Sequence, residues 1–398
     1  MFVWYKFYMK KNKFNKEKKL NKGRVVKTII VVLLVVIGVT FAILYNKNER
    51  LRQMLDKYLF RKEEHENNLP QIEIDSSKIS GMFAYDNYIS IFKGNKLILY
   101  NKYGREEGNI DIEVSTPIFE SNENYLVVAE KNGQKMYFIN GKNLAWQKDI
   151  EGKINSVSVN KNGYVSIIIG GTSYKTVIKT VDSNGNELFT YYLGSTNVVA
   201  TDISNDNKYL AIAEANFSGI VVQSTVKIIS VEDAKNNTGN SIKYTHVANS
   251  GDLIINIKYQ RNNLVCMYDE HIDILNNGQN SELVNLKNEN VLFADISFSS
   301  KVIKIIKKNT GIFNSETEMQ IIDSSSKNIV TYSIEHVPKS VYVKDNSIVI
   351  NLGTSALFIK DNGWLQKKYE SSHEIQNILS CGDVAGIVSK NKIEIISL

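Results

Sequence analysis

From Gln71 to Leu398 the chain repeats a unit that few folds accommodate: four short runs of β-branched and aromatic residues, separated by Asn, Asp, Gly, Ser and Lys turns. Examples are YLVVAE (125–130), KMYFIN (135–140), YVSIIIG (164–170), TVIKTV (176–181), YLAIAE (209–214) and SIVINLG (347–353). Regular short strands with frequent turn signals restrict the choice to an all-β sandwich, barrel or propeller. The longer period decides among them. Units begin near residues 79, 114, 152, 195, 248, 288, 336 and 373, and a four-stranded unit of roughly 40 residues is the mark of propeller blades. The turn between third and fourth strands recurs as Asn140-Gly141, Asn184-Gly185, Asn277-Gly278 and Asn362-Gly363, with Tyr103-Gly104 in the same place. Asn-Gly accepts the positive φ of a tight hairpin, so its recurrence marks register. No helix is predicted within this region.

The ends complete the scheme. The last unit supplies only three strands (IQNILSCG, VAGIVSK and KIEIISL), while QIEID at 71–75 is a lone strand ahead of the first full unit. Pairing the two closes a ring and removes exposed sheet edges. Eight blades result, or seven if two of the weaker units are one.

Ahead of the propeller lies an uncharged run, Thr28–Tyr45 (TIIVVLLVVIGVTFAILY). A helix of this length, with Lys27 and Lys47 snorkelling, spans a hydrocarbon core of about 30 Å. Residues 1–27 carry ten Lys or Arg against the single acid Glu17, the positive-inside pattern of a cytoplasmic N-terminus. The expectation is a single-pass membrane protein whose propeller lies outside the cell membrane. A cleaved signal peptide, with Thr40 and Ala42 at the cleavage site, is the alternative. Translation starts at Met1 or at Met9, which opens MKKNKF. The basic tail also accounts for the net charge: of a total of +6, it supplies +9, leaving everything after it at −3. The large domain is therefore not basic, and no nucleic-acid partner is expected.

Leu51, Met54, Leu55, Tyr58 and Leu59 fall on one face of a helix, predicting an amphipathic helical stalk over 46–69 that ends at Asn67, Asn68 and Pro70. The propeller is then expected over 70–398.

The segments INGKNLAWQKDI (139–150), DSNGNELFTYYL (182–193) and KDNGWLQKKYE (360–370) resemble the strand-turn-strand ends of PQQ-like and WD-repeat-like blades. With a Lys-rich tail and one membrane helix, the whole layout is similar to a domain-of-unknown-function family of membrane-anchored bacterial propeller proteins. The resemblance implies fold and placement only. Quinone-dependent dehydrogenases of this fold need adjacent cysteines and regular blade tryptophans. Here Cys266 and Cys381 are far apart, and Trp146 and Trp364 stand alone in the domain.

A search for chemistry returns no catalytic, cofactor-binding or metal-ligating motif. Gly170–Thr176 has the wrong spacing for a phosphate loop, and His65, His246, His271, His336 and His373 are scattered over stalk and different blades. Asp182–Glu187 has oxygen ligands but places Gly185 too early for a calcium loop. It reads as a hairpin turn. Cys266 and Cys381 belong to distant units and are expected to be buried free thiols.

Three loops between second and third strands are long or rich in aromatics: 170–175, 216–223 and 309–318. Tyr174, Phe217 and Phe313 are the candidate interface residues, because exposed aromatics often carry binding energy; GIVVQS (219–224) is expected to lengthen a hairpin. Two functions fit. One is a binding or scaffold module for an envelope protein, peptide or glycan. The other is an extracytoplasmic hydrolase or lyase with an acidic site on one rim.

Overall fold

The computed structural model describes residues 22–47, 51, 55, 63–65, 69–75, 79–287, 289–309, 315–344 and 346–398. The chain divides into two compact units, residues 1–60 and 61–398.

In the first unit Lys22–Lys47 form one helix. Its stretch Val26–Tyr45 is long and apolar enough to cross a membrane, a property that a membrane anchor and a signal sequence share. Thr40 fits this stretch because its hydroxyl donates to Val36 O within the helix, at 2.8 Å. Leu51 and Leu55 are helical.

The second unit is an all-β propeller of eight four-stranded antiparallel blades. Seven blades are continuous in sequence, running from the innermost to the outermost strand: 79–111, 117–149, 153–193, 197–247, 254–285, 291–334 and 340–370. The eighth is composite. Asn377–Cys381, Val384–Ser389 and Lys392–Ser397 supply three strands, and Gln71–Glu73 is the fourth, with Gln71 opposite Glu394 and Glu73 opposite Lys392. Around that pairing, Ile395 N donates to Pro70 O and Ile74 N to Asn391 O, at 2.8 and 2.9 Å.

A strand's side chains alternate between faces. In blade 2, Leu126 and Val128 enter the core shared with blade 1, while Val127 and Ala129 enter the core shared with blade 3. Second and third strands are therefore apolar on both faces, which is why they read as unbroken runs rather than alternating ones. Eight such cores, one at each blade junction, make up the interior.

Three details depart from the sequence reading. Val231–Asn236 form a short helix between the third and fourth strands of blade 4, capped by Ser230, whose hydroxyl accepts from Asp233 N. Ser-x-x-Asp is a helix-start signal, and Val231 and Ala234 bury the helix against the core shared by blades 3 and 4. Glu63–His65, expected in the helical stalk, form a strand parallel to Lys368–Glu370 at the outer edge of blade 7. That edge offers unpaired backbone groups, and the passing chain takes them up. The Asn-Gly turns, finally, are of more than one kind. Asn277-Gly278 has both φ positive, as in a two-residue hairpin. At Gly104, Gly185 and Gly363 a type I turn precedes the positive-φ glycine. Asp182 serves such a turn, its carboxylate accepting from Asn184 N and Asn186 N at 2.9 and 2.8 Å.

Ile72, 6% exposed, carries the closing strand into the core between blades 8 and 1. Ile72→Ala should lower the unfolding free energy by about 2–4 kcal/mol. Urea denaturation followed by tryptophan fluorescence checks this against an exposed control such as Ile329→Ala, which should cost well under 1 kcal/mol.

Candidate functional site

In every blade the turn from first to second strand reaches the same end of the ring axis. There a cavity of about 790 Å³ opens, lined by Asp86 and Asn87 of blade 1, Asn122, Glu123 and Asn124 of blade 2, and their counterparts around the ring. A smaller chamber of about 260 Å³ among the inner strands shares Asn122, Asp202, Lys258 and Ser297 with it.

Polar side chains join each blade to the next around this mouth. Tyr85 donates its hydroxyl to Asn124 O, joining blades 1 and 2. Asn122 Nδ2 donates to Val159 O at 3.3 Å, and Asn160 Nδ2 to Ser204 O at 3.0 Å. Asp202 accepts from Tyr259 N at 2.6 Å and from Lys258 Nζ at 3.2 Å. Gln260 Nε2 lies 2.8 Å from Ile296 O and 3.0 Å from Phe298 O. Ser299 Oγ donates to Asn346 Oδ1 at 2.7 Å, and the hydroxyls of Ser347 and Ser380 meet at 2.6 Å. The ring ends where Asn87 Oδ1 accepts from Asp383 N at 3.0 Å. Glycine is required beside that contact: Gly382 has φ +58°, and a Cβ there would lie 2.0 Å from Asn87 Oδ1.

Among the described residues the cavity is lined by charges of both signs, Asp86, Glu123 and Asp202 with Lys161, Lys258 and Arg261, the last with its guanidinium 3.5 Å from Asp323 Oδ2. Burial pushes the Asp86 carboxyl up from its ordinary range. Deeper in, Lys344 of blade 7 donates to Ser121 Oγ of blade 2, a bond that crosses the axis. Asp295, on the inner strand of blade 6, is held up mainly by burial, with the Ser297 N–H, 2.6 Å away, pulling the other way. Among the described residues no group of three His, Cys, Asp or Glu is placed to hold a metal ion.

The opposite end of the ring carries the loops between second and third strands. Tyr174 is 46% exposed and packs on Tyr192 of its own blade, ring centroids 4.7 Å apart. On the neighbouring blade Phe217, Ile220 and Val221 are also exposed, at 59%, 106% and 51%. Hydrogen bonds from the Ser218 backbone N–H and hydroxyl to Asn216 Oδ1 hold the base of this loop.

A profile of the family of unknown function DUF5711 matches residues 60–398. The chain belongs to that family. No curated protein matches it in sequence. Among solved structures the DUF5711 chain is similar to BamB from Moraxella catarrhalis, at 10% identity over 82% of this chain and 98% of that one, with a TM-score of 0.48. It is also similar to Kuenenia stuttgartiensis hydrazine synthase, at 9% identity over 84% and 97% of the two chains, with a TM-score of 0.43. The Neurospora crassa Pan2 WD40 domain follows at 11% identity over 58% and 74%, with a TM-score of 0.40. At TM-scores below 0.5, none of these likenesses bears on what the DUF5711 chain does.

Of the aromatic candidates, Tyr174 and Phe217 lie on adjacent blades, and Phe313 lies outside the described residues. Tyr174 has Tyr192 as its ring partner rather than Phe217. Ile220 and Val221 were expected to lengthen a hairpin; instead the third strand begins at Gln223 and both side chains stand in the loop. Cys266 is buried, and burial pushes its thiol far up, so it is inert. Cys381 is half-exposed and lines the axial cavity, contrary to the expected burial. A separate acid–histidine group forms around His271, whose Nε2 lies 3.4 Å from Asp273 Oδ2 and 3.9 Å from Asp252 Oδ2. Its ring stacks on Tyr268, 4.6 Å away, and the group joins the core between blades 4 and 5 rather than lining the cavity.

An acid whose folded pKa is raised contributes stability when protonated and loses it as pH rises through that pKa. Asp295→Asn keeps the acceptor for Ser297 N and removes the buried charge. The variant should therefore be more stable than wild type at pH 7, with the gap closing as pH falls through the raised folded pKa and gone once pH is below the free carboxyl value of about 4. Urea titrations of both proteins across pH 3–8 check the sign.

Proposed function

We propose that this chain is a membrane-tethered propeller outside the cell membrane that works as a binding or scaffold module for an envelope protein. In this reading residues 1–27 are a cytoplasmic tail, 28–45 the anchor and the segment from 46 to about 62 the stalk. Ten bases ahead of the apolar helix support that orientation.

The observation that carries the reading is the exposure of large apolar side chains in the loops of blades 3 and 4. Tyr174, Phe217, Ile220 and Val221, with Tyr192 on the adjoining outermost strand of blade 3, stand in solvent although every blade junction already has a complete core. Apolar residues that add nothing to the fold are the usual material of a contact surface, and aromatic anchors dominate its energy. The propeller supplies rigidity, so the loops are presented with little ordering cost on binding.

Crosslinking the tagged full-length protein in cells, followed by mass spectrometry, tests this. Specific envelope proteins should be recovered with the wild type and lost when 70–398 is replaced by an unrelated domain. The Tyr174→Ser/Phe217→Ser double variant should lose the same proteins while its melting temperature stays within about 2 °C of wild type. Recovery of the same partners with the replaced domain defeats the reading. A periplasm-type or surface reporter fused after Leu398 that is active only inside the cell defeats the topology.

A further inference from the structure

We propose that the axial cavity at the end where the first turns of all blades converge binds an extended, uncharged stretch of polypeptide. Its volume of about 790 Å³ falls in the range of ligand sites, about 300–1,000 Å³, but most of its lining residues are of polar type where most such sites are lined by apolar ones. That lining selects the ligand class.

Eight carboxamide side chains line the cavity. Several are used between blades, but those of Asn205, Asn262 and Gln366 border it without a bond to another residue among those described. A carboxamide offers a donor and an acceptor in one plane, the same pair a peptide group presents, so each can meet a backbone amide with two hydrogen bonds. Among the described lining side chains, acids and bases number three each. A polyanion would meet Asp86, Glu123 and Asp202, and a polycation Lys161, Lys258 and Arg261. A neutral saccharide gains much of its hold by laying C–H faces on aromatic rings, and here Tyr259 is the single aromatic lining residue.

A second observation comes from the backbone. Glu123 and Arg261 stand at the cavity with φ of +49° and +56°. Left-handed backbone is natural for Gly and Asn and unfavourable for long side chains, and strain of this sort gathers at binding sites. Here it sets a carboxylate and a guanidinium, of opposite sign, in turns that glycine would serve without strain. The cavity lies at the other end of the ring from Tyr174 and Phe217, so the inference does not rest on that surface.

The test uses the full-length protein in detergent micelles. The probes are fluorescently labelled decapeptides of Ser, Thr, Asn, Gln and Gly, read by anisotropy, with neutral malto- and chito-oligosaccharides as the competing class. Wild type should bind the peptides. Asn205→Leu/Asn262→Leu should weaken binding tenfold or more. Glu123→Gly/Arg261→Gly should weaken it similarly while leaving the melting temperature unchanged or higher, which separates loss of the site from loss of the fold. Phe217→Ser should leave peptide affinity unchanged. The proposal is overturned if no peptide binds, if both double variants bind as wild type does, or if only the oligosaccharides bind and the variants abolish that.

Discussion

The two-sided apolar strand is the constraint on which this structure depends. Leu126 and Val128 need one neighbour and Val127 and Ala129 another, so no blade can stand at an end. A linear stack would leave two apolar faces in water, whereas a ring leaves none. Each junction buries apolar surface worth about 25 cal/mol per Å², and the eight junctions are therefore interdependent. The closing strand is short, Gln71–Glu73, yet it completes the last junction through Ile72. Beside it the buried Glu394 accepts from Tyr369 of blade 7, from Lys392 at 2.7 Å and from Gln71 at 3.2 Å, so one carboxylate satisfies groups from three chain segments.

Closure also creates the two ends where function is sought. Because all blades run in the same sense, like turns gather at like ends, and residues distant in sequence come to face one axis. At one end this gathers carboxamides, hydroxyls and charges of both signs. At the other it leaves aromatic and aliphatic side chains in water. The polar ties between blades at the first end mean that much of the lining is held rigidly before any ligand arrives.

The strands, the blade count and the composite last blade were legible because burial on both faces leaves unbroken runs such as YLVVAE and YVSIIIG. Local chemistry was harder to read. Ser230-Val231-Glu232-Asp233 carries a helix-start signal, but Ser230 and Val231 also end the apolar run VKIISV, which hides it. Ile220 and Val221 look like strand residues, and only the observed start of the strand at Gln223 puts them in a loop. The axial cavity left no local trace. Asp86, Asn160 and Arg261 resemble ordinary turn residues one at a time, and it is the ring that brings them together. The signs of strain at Glu123 and Arg261 exist only in φ.

The composite eighth blade ties the order of synthesis to the order of folding. The chain emerges from its N-terminus, so Gln71–Glu73 is made well before its partner strand Lys392–Ser397. Blades 1 to 7 can form as they appear, but the first of them keeps an uncovered apolar face until the strands over 377–397 emerge. A chain that has not reached them is thus open and adhesive at both ends of the arc. The arrival of that last partner strand is itself the step that seals the ring.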